Sequence, residues 1–225
     1  QHGIIYTNKP DYFSNNILSP HLKRNNVSLL LNGILFKQIL INNGDQEFIH
    51  KNAHVIGVQR EGCILHHSAN RNVLVTLQFT VDHTTVQNQK LLEELVSVIN
   101  SHPEFNFFLR NHPRFNNEVV LDEIYNYNNV FVAPNSLLQC FKECSIHLTS
   151  YSTTTFECAI YGIPTVFLKS LQDDFNMFYL DYHLTNKESI SFVYNNYKKE
   201  SDFIRDWVDG YYTKFDAEKF INLLV

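Results

Sequence analysis

Charge, glycine and long apolar runs are all scarce in this 225-residue chain. Lys and Arg number 18 against 23 Asp and Glu, a net charge of −5. That balance argues against a nucleic-acid footprint, which needs a basic face. No apolar run approaches the ~20 residues of a membrane-spanning helix. Four cysteines (Cys63, Cys140, Cys144 and Cys158) are too few for a disulfide scaffold. Cys140 and Cys144 stand one helical turn apart, yet no second pair or paired His completes a zinc pattern. They read as small buried hydrophobes of a reducing compartment. With only 7 glycines, each is expected where the backbone requires it. The 26 Asn residues carry no mechanism.

What is present suffices for a folded core. Hydrophobic residues make up 44% of the chain, and a chain of this length buries roughly 70% of its unfolded surface. Residues 1–70 carry turn signals at Lys9-Pro10, Ser19-Pro20, Asn32-Gly33 and Asn43-Gly44, with short apolar runs between. They are expected to lack a core of their own and to dock on the domain that follows or to pair with another chain. The chain begins at Gln1, and a piece of a longer protein is expected.

From Asn72 the rhythm becomes regular. Continuous apolar runs predict strands over 73–77, 105–109, 130–132, 146–149 and 165–168. Helices are predicted between them over 89–100, 119–125, 136–143 (capped by Ser136) and 154–161. Strand and helix alternating with short loops call for an α/β fold, a doubly wound parallel sheet. The predicted organisation is an N-terminal segment 1–70, a Rossmann-like domain 71–185 and C-terminal helices 186–225. Trp207 and Phe220 are expected to pack back on the domain. Ligands of such sheets bind at the carboxyl ends of the strands.

Three loops carry candidate chemistry. Arg110-Asn-His112-Pro113 follows the second strand. Pro113 stops the ladder and holds His112 at the sheet edge, where it can donate to a phosphate or a base carbonyl. Arg110 adds a fork of donors. A plain turn with a solvated His explains the same residues. Ser152, Thr153 and Thr154 lead from the fourth strand into a helix, where hydroxyls and free N–H groups suit a phosphate. Ordinary capping explains them as well. Glu157 could close a capping box with Thr154 or accept from the hydroxyls of a ribose. His2, in Gln1-His2-Gly3, is a candidate general base or a merely exposed His.

Taken together, Arg110-Asn-His-Pro113 and Ser152-Thr-Thr-Thr-Phe-Glu157-Cys-Ala-Ile-Tyr-Gly162-Ile-Pro164 resemble the nucleotide-binding half of GT-B glycosyltransferases. The nearest groups are bacterial capsular-polysaccharide transferases, sialyltransferases and teichoic-acid glycerophosphotransferases. Gln1-His2-Gly3, Leu31-Asn-Gly33-Ile-Leu-Phe-Lys37 and Val55-Ile-Gly57-Val-Gln-Arg60 resemble the stretch those families carry between their two domains. The resemblance implies that His112 contacts the nucleotide phosphate or base, Ser152 to Thr154 hold phosphate oxygens, Glu157 binds the ribose and His2 acts as base. Two departures stand out. No Gly-rich loop follows the first strand, so Thr or His side chains of 78–84 must act there. Moreover, a whole GT-B enzyme has two Rossmann-like domains, and this chain has one.

The function so implied is the donor-binding part of a metal-independent glycosyltransferase. Its substrates would be a nucleotide-activated sugar, a CMP-linked acidic sugar by the motif, and a glycan acceptor for surface polysaccharide. No cofactor and no metal are expected: there is no Asp-x-Asp pattern, and the adjacent Asp173-Asp174 read as solvated. A cytoplasmic protein is expected, peripheral to the inner face of the cell membrane, with a homo-oligomer as a further option. A nucleotide-sugar epimerase of the same fold and a non-catalytic nucleotide-binding module remain alternatives.

Overall fold

A computed structural model describes residues 4–7, 9–15, 17–23, 27–60, 68–80, 83–115, 119–171, 181–182 and 189–224. The chain forms two compact units, Gln1–Gly62 with Asp206–Val225, and Cys63–Arg205.

In the first unit, β1 (Phe13–Ser14) and β2 (Ile17–Leu18) make a short antiparallel pair. Strand β3 (Leu29–Leu31) runs through α1 (Ile34–Asn43) and α2 (Gln46–Asn52) into β4 (Ala53–Val55), its parallel partner. Phe36, Leu40 and Ile49 are fully buried. The Phe36 ring lies 5.2 Å from Tyr211, and Tyr211 and Tyr212 are buried with it. The core of this unit is therefore shared between the N-terminal segment and the C-terminal end of the same chain. Val58 N–H donates to the Thr213 carbonyl at 2.8 Å, and Phe215 N–H to that of Val58 at 2.9 Å. Trp207 and Phe220 belong to this unit rather than to the sheet domain; their rings lie beside Tyr211 (5.1 Å) and Phe215 (5.9 Å).

Among the described residues, the second unit is built on a five-stranded parallel sheet. Its strands are β5 (Asn72–Thr76), β6 (Asn106–Arg110), β7 (Val130–Val132), β8 (Ile146–Thr149) and β9 (Thr165–Phe167). Their spatial order is β7-β6-β5-β8-β9. Each predicted strand is present within one residue of its expected bounds. The connecting helices are α3 (Thr85–Ser101), α4 (Leu137–Glu143) and α5 (Thr154–Ile160). Right-handed crossovers moving in opposite directions from β5 put α3 on one face and α4 and α5 on the other. Packing agrees, since Leu74 of β5 shares a core cluster with Cys140 and Phe141 of α4 and Cys158 of α5. Cys140, Cys144 and Cys158 are buried free thiols, and burial pushes each pKa up. Beyond the sheet follow α6 (Ile190–Asn195), α7 (Tyr197–Tyr211) and α8 (Ala217–Asn222). The boundary between the units falls within α7, so the expected C-terminal segment is divided between them.

Two helices differ from expectation. Helix α3 starts four residues earlier than predicted. Thr84 Oγ1 accepts from Gln87 N–H at 3.2 Å, while Gln87 Oε1 accepts from Thr84 N–H at 2.9 Å, a reciprocal cap. The helix expected over 119–125 is, among the described residues, only a 3₁₀ turn, Ile124–Asn126. The i→i+3 bonds Ile124→Leu121 and Tyr127→Ile124 close it, and Asn126, Asn128 and Asn129 disfavour continuation.

Candidate functional site

In the order β7-β6-β5-β8-β9 the chain runs outward from β5 to β7 and then crosses back to β8 on the other side of β5, so the switch point lies between β5 and β8. A crevice outside the carboxyl ends of these strands is where ligands of such sheets bind. The loops there follow β5, β6 and β8, and His112 and Ser152 lie on the second and third. Two inter-strand spacings separate β6 from β8, roughly 10 Å.

The β6 loop is a tight turn. His112 is half-buried, and its Nδ1 accepts from the Arg114 N–H at 3.0 Å. The ring hydrogen therefore sits on Nε2, which becomes the donor atom. Phe115 N–H donates to the His112 carbonyl at 2.9 Å, with the exposed Pro113 inside the turn. Phe115 also bridges Thr80 of the β5 loop. Arg110 is turned to another task, since its Nη1 donates to the carbonyls of Pro134 (2.9 Å) and Asn135 (2.8 Å). It ties β6 to the β7–α4 loop. Ser136 opens α4 without a side-chain cap, so that expected capping bond is absent.

The β8 loop begins with buried Ser150 and Tyr151 and continues with half-buried Ser152, exposed Thr153 and half-buried Thr154. The N–H groups expected to be free here are taken. Thr154 N–H donates to Ser152 Oγ at 3.2 Å, Thr155 N–H to the Ser152 carbonyl at 3.1 Å, and Phe156 N–H to the Thr153 carbonyl at 3.0 Å. The side-chain hydroxyls, rather than these three N–H groups, are what this helix start can offer an anion. The expected Thr154–Glu157 capping box does not form, because Thr153 is the cap position and Glu157 meets the Thr154 side chain. Burial pushes the Glu157 carboxyl up, opposed by that hydrogen bond. Thr155 Oγ1 is buried without a hydrogen-bond partner.

Two polar groups of histidines were not singled out as site residues. His83, in the β5 loop, is 6% exposed, and its Nε2 lies 2.5 Å from the Tyr151 hydroxyl. Its Nδ1 lies 3.1 Å from Asn88 Oδ1 on α3. Only the lack of Gly in 78–84 hinted at side-chain work there. Below the crevice, His147 of β8 is wholly buried between Thr76 Oγ1 (2.8 Å) and Thr165 Oγ1 (2.9 Å). Burial lowers its pKa to about 3, so it is a neutral structural bridge across three strands.

His2, Cys63, Asp173 and Asp174 lie outside the described residues. Among the described residues, no three His, Cys, Asp or Glu side chains gather as a metal site. No described helix is long and apolar enough to cross a membrane.

No protein-family model and no curated protein matches the sequence. Solved structures do match. The wall teichoic acid polymerase TagF is 14% identical over 99% of this chain and 65% of its own, with a TM-score of 0.53. The glycotransferase of kitacinnamycin is 14% identical over 88% of this chain and 54% of its own, TM-score 0.52. A putative UDP-N-acetylglucosamine 2-epimerase from Listeria monocytogenes is 12% identical over 87% of this chain and 57% of its own, TM-score 0.51. This chain thus spans 54% to 65% of the length of these three proteins. At such identities the likeness is one of fold: an α/β chain whose five-stranded parallel sheet is of the Rossmann-like type found in GT-B proteins.

Proposed function

We propose that the sheet unit binds the nucleotide of an activated sugar, as the donor-binding portion of a glycosyltransferase that makes surface polysaccharide. The observation that carries this reading is the strand order, which puts the His112 and Ser152 loops on the same sheet edge, either side of β5. In this reading His112 Nε2 donates to the nucleotide phosphate or base, and the Ser152, Thr153 and Thr154 hydroxyls hold phosphate oxygens. Glu157 accepts from the ribose, and His2 removes the proton of the acceptor hydroxyl. The leaving phosphate is then stabilised by neutral donors, a form of charge stabilisation that requires no metal. Arg110 and Pro113 shape the His112 turn. A cytidine monophosphate sugar fits the motif resemblance. The fold shared with a wall teichoic acid polymerase and a glycotransferase supports transfer. The fold shared with the 2-epimerase favours a second reading, epimerisation of a UDP-sugar.

The test is a thermal-shift panel of CMP, CDP, UDP and GDP, followed by calorimetric titration. CMP should raise the melting temperature most, and His112→Ala should weaken it ten- to a hundredfold, the loss of a contact worth about 1.5–3 kcal/mol. Unchanged CMP affinity in His112→Ala removes that residue from the site. Selective stabilisation by UDP, with formation of an epimerised sugar, establishes the second reading.

A further inference from the structure

The β5 loop lacks the glycines that would bring its backbone close to a phosphate, and it fills the switch point with side chains instead. His83 (6% exposed), Asn88 (2%) and Tyr151 (8%) form a buried chain of hydrogen bonds from α3, through the β5 loop, to the β8 loop. Burying an imidazole, an amide and a phenol is costly unless they are bonded to one another. Apolar side chains of similar size would fill that space without the desolvation cost. What the polar chain adds is direction, since a hydrogen bond fixes where the Tyr151 hydroxyl lies and apolar packing does not. Tyr151 immediately precedes Ser152, so any rotation of its backbone re-aims the Ser152 and Thr153 hydroxyls. The amide is only half used: Asn88 Oδ1 faces His83, whereas Nδ2 is buried without a partner. Asn88 Oδ1 meets the ring at Nδ1, and the Tyr151 hydroxyl meets it at Nε2.

We propose that His83 is a positioning residue for the nucleotide site: by holding the Tyr151 hydroxyl it fixes the β8 loop in the form that presents Ser152 and Thr153. This inference rests on the nucleotide reading above. It concerns phosphate binding in particular, because the ring of His83 bonds Tyr151, the residue next to Ser152.

Three variants separate the bond from the packing. In His83→Gln the longer amide reaches the Nε2 position and keeps a partner for Tyr151. In His83→Asn the amide reaches only the Nδ1 position, so the Asn88 bond survives and the Tyr151 bond is lost. Tyr151→Phe removes the hydroxyl and keeps the ring. Without ligand, amide hydrogen exchange over 150–155 should accelerate about tenfold in His83→Asn and Tyr151→Phe and stay near wild type in His83→Gln. In calorimetric titrations, the first two variants should bind CMP about tenfold more weakly, with cytidine affinity unchanged within about twofold. His83→Gln should bind both as wild type does. Equal losses for CMP and cytidine, or His83→Gln as impaired as His83→Asn, would show general loosening of the fold and overturn the role. Wild-type binding of CMP, with unchanged exchange and affinity in His83→Asn, overturns the role of His83 alone. Wild-type protein that binds neither CMP nor UDP overturns the nucleotide reading, and this role with it.

Discussion

His147 makes the fold sensitive to acid in a way that one substitution should expose. Its ring is wholly buried, bonded on both sides by threonine hydroxyls, and its pKa falls from 6.5 to about 3. In the unfolded chain the same imidazole takes up a proton below about pH 6.5. The unfolded state therefore binds more protons between the two values, and stability present at neutral pH is lost as pH falls from 6.5 toward 3. At pH 5 the loss is about 1.5 pH units, or about 2 kcal/mol at 1.36 kcal/mol per unit. Glutamine in its place does not titrate. His147→Gln should be less stable than wild type at pH 7.5 by about 1–3 kcal/mol, because Thr76 and Thr165 lose their designed partner. At pH 5 that gap should shrink or reverse by about 2 kcal/mol, since every other titrating group is common to both proteins. Urea unfolding of both proteins at the two pH values measures it. A gap that is the same at pH 5 and pH 7.5 would refute the argument, because His147 would then titrate alike in folded and unfolded states. Ring carbon-proton NMR signals moving with a midpoint near pH 6.5 in the folded protein would refute it independently.

The remaining predictions concern the frame around the site. Gly162 has φ +68°, and a Cβ there would run into Ser201 Oγ and come within 3.0 Å of Arg205 Nε. Gly162→Ala should destabilise by about 2–3 kcal/mol, about 1–2 of it backbone strain; adding Ser201→Ala should restore part of the loss in thermal unfolding and no more. Glu94 on α3 accepts from the N–H groups of Lys169 (2.6 Å) and Ser170 (2.7 Å), holding the loop after β9. Glu94→Ala should cost about 1–2 kcal/mol, these being charge-assisted bonds in a half-exposed place, with faster amide exchange confined to 168–171; unchanged exchange there would refute the anchoring.

The sheet was legible because its strands are buried on both faces. Val73-Leu74-Val75 and Ile146-His147-Leu148 are near-continuous apolar runs that leave little choice of periodicity. Even so, the polar exception in the second run is the residue that spans the sheet, and its two threonine partners are too distant in sequence to be paired by inspection. The start of α3 was readable in Thr84-x-x-Gln87 and was obscured by the polar Gln87, Asn88 and Gln89, which dilute the apolar stripe. The core of the first unit was hidden because Phe36 meets Tyr211 across 175 positions of sequence. Local pattern carries no record of such a contact.

The candidate site shows the same division between local signal and tertiary fact. Hydroxyls around 152–154 and the His-Pro turn are local features, and their placement on one edge follows from strand order alone. What each atom is available for does not follow. Arg110 reads as a phosphate fork and is engaged by two carbonyls, while Ser152, read as a ligand, also accepts the N–H of Thr154. With three N–H groups at the start of α5 already bonded, and no glycine between 78 and 84, the backbone has little left to offer an anion at this edge. In the proposed nucleotide site, recognition then rests on side-chain hydroxyls and the His112 ring, whose aim depends on the loops that carry them. A site that relies on side chains in place of a Gly-rich backbone cradle needs those loops held from behind. The buried bond between His83 and Tyr151 joins the two loops that flank the switch point.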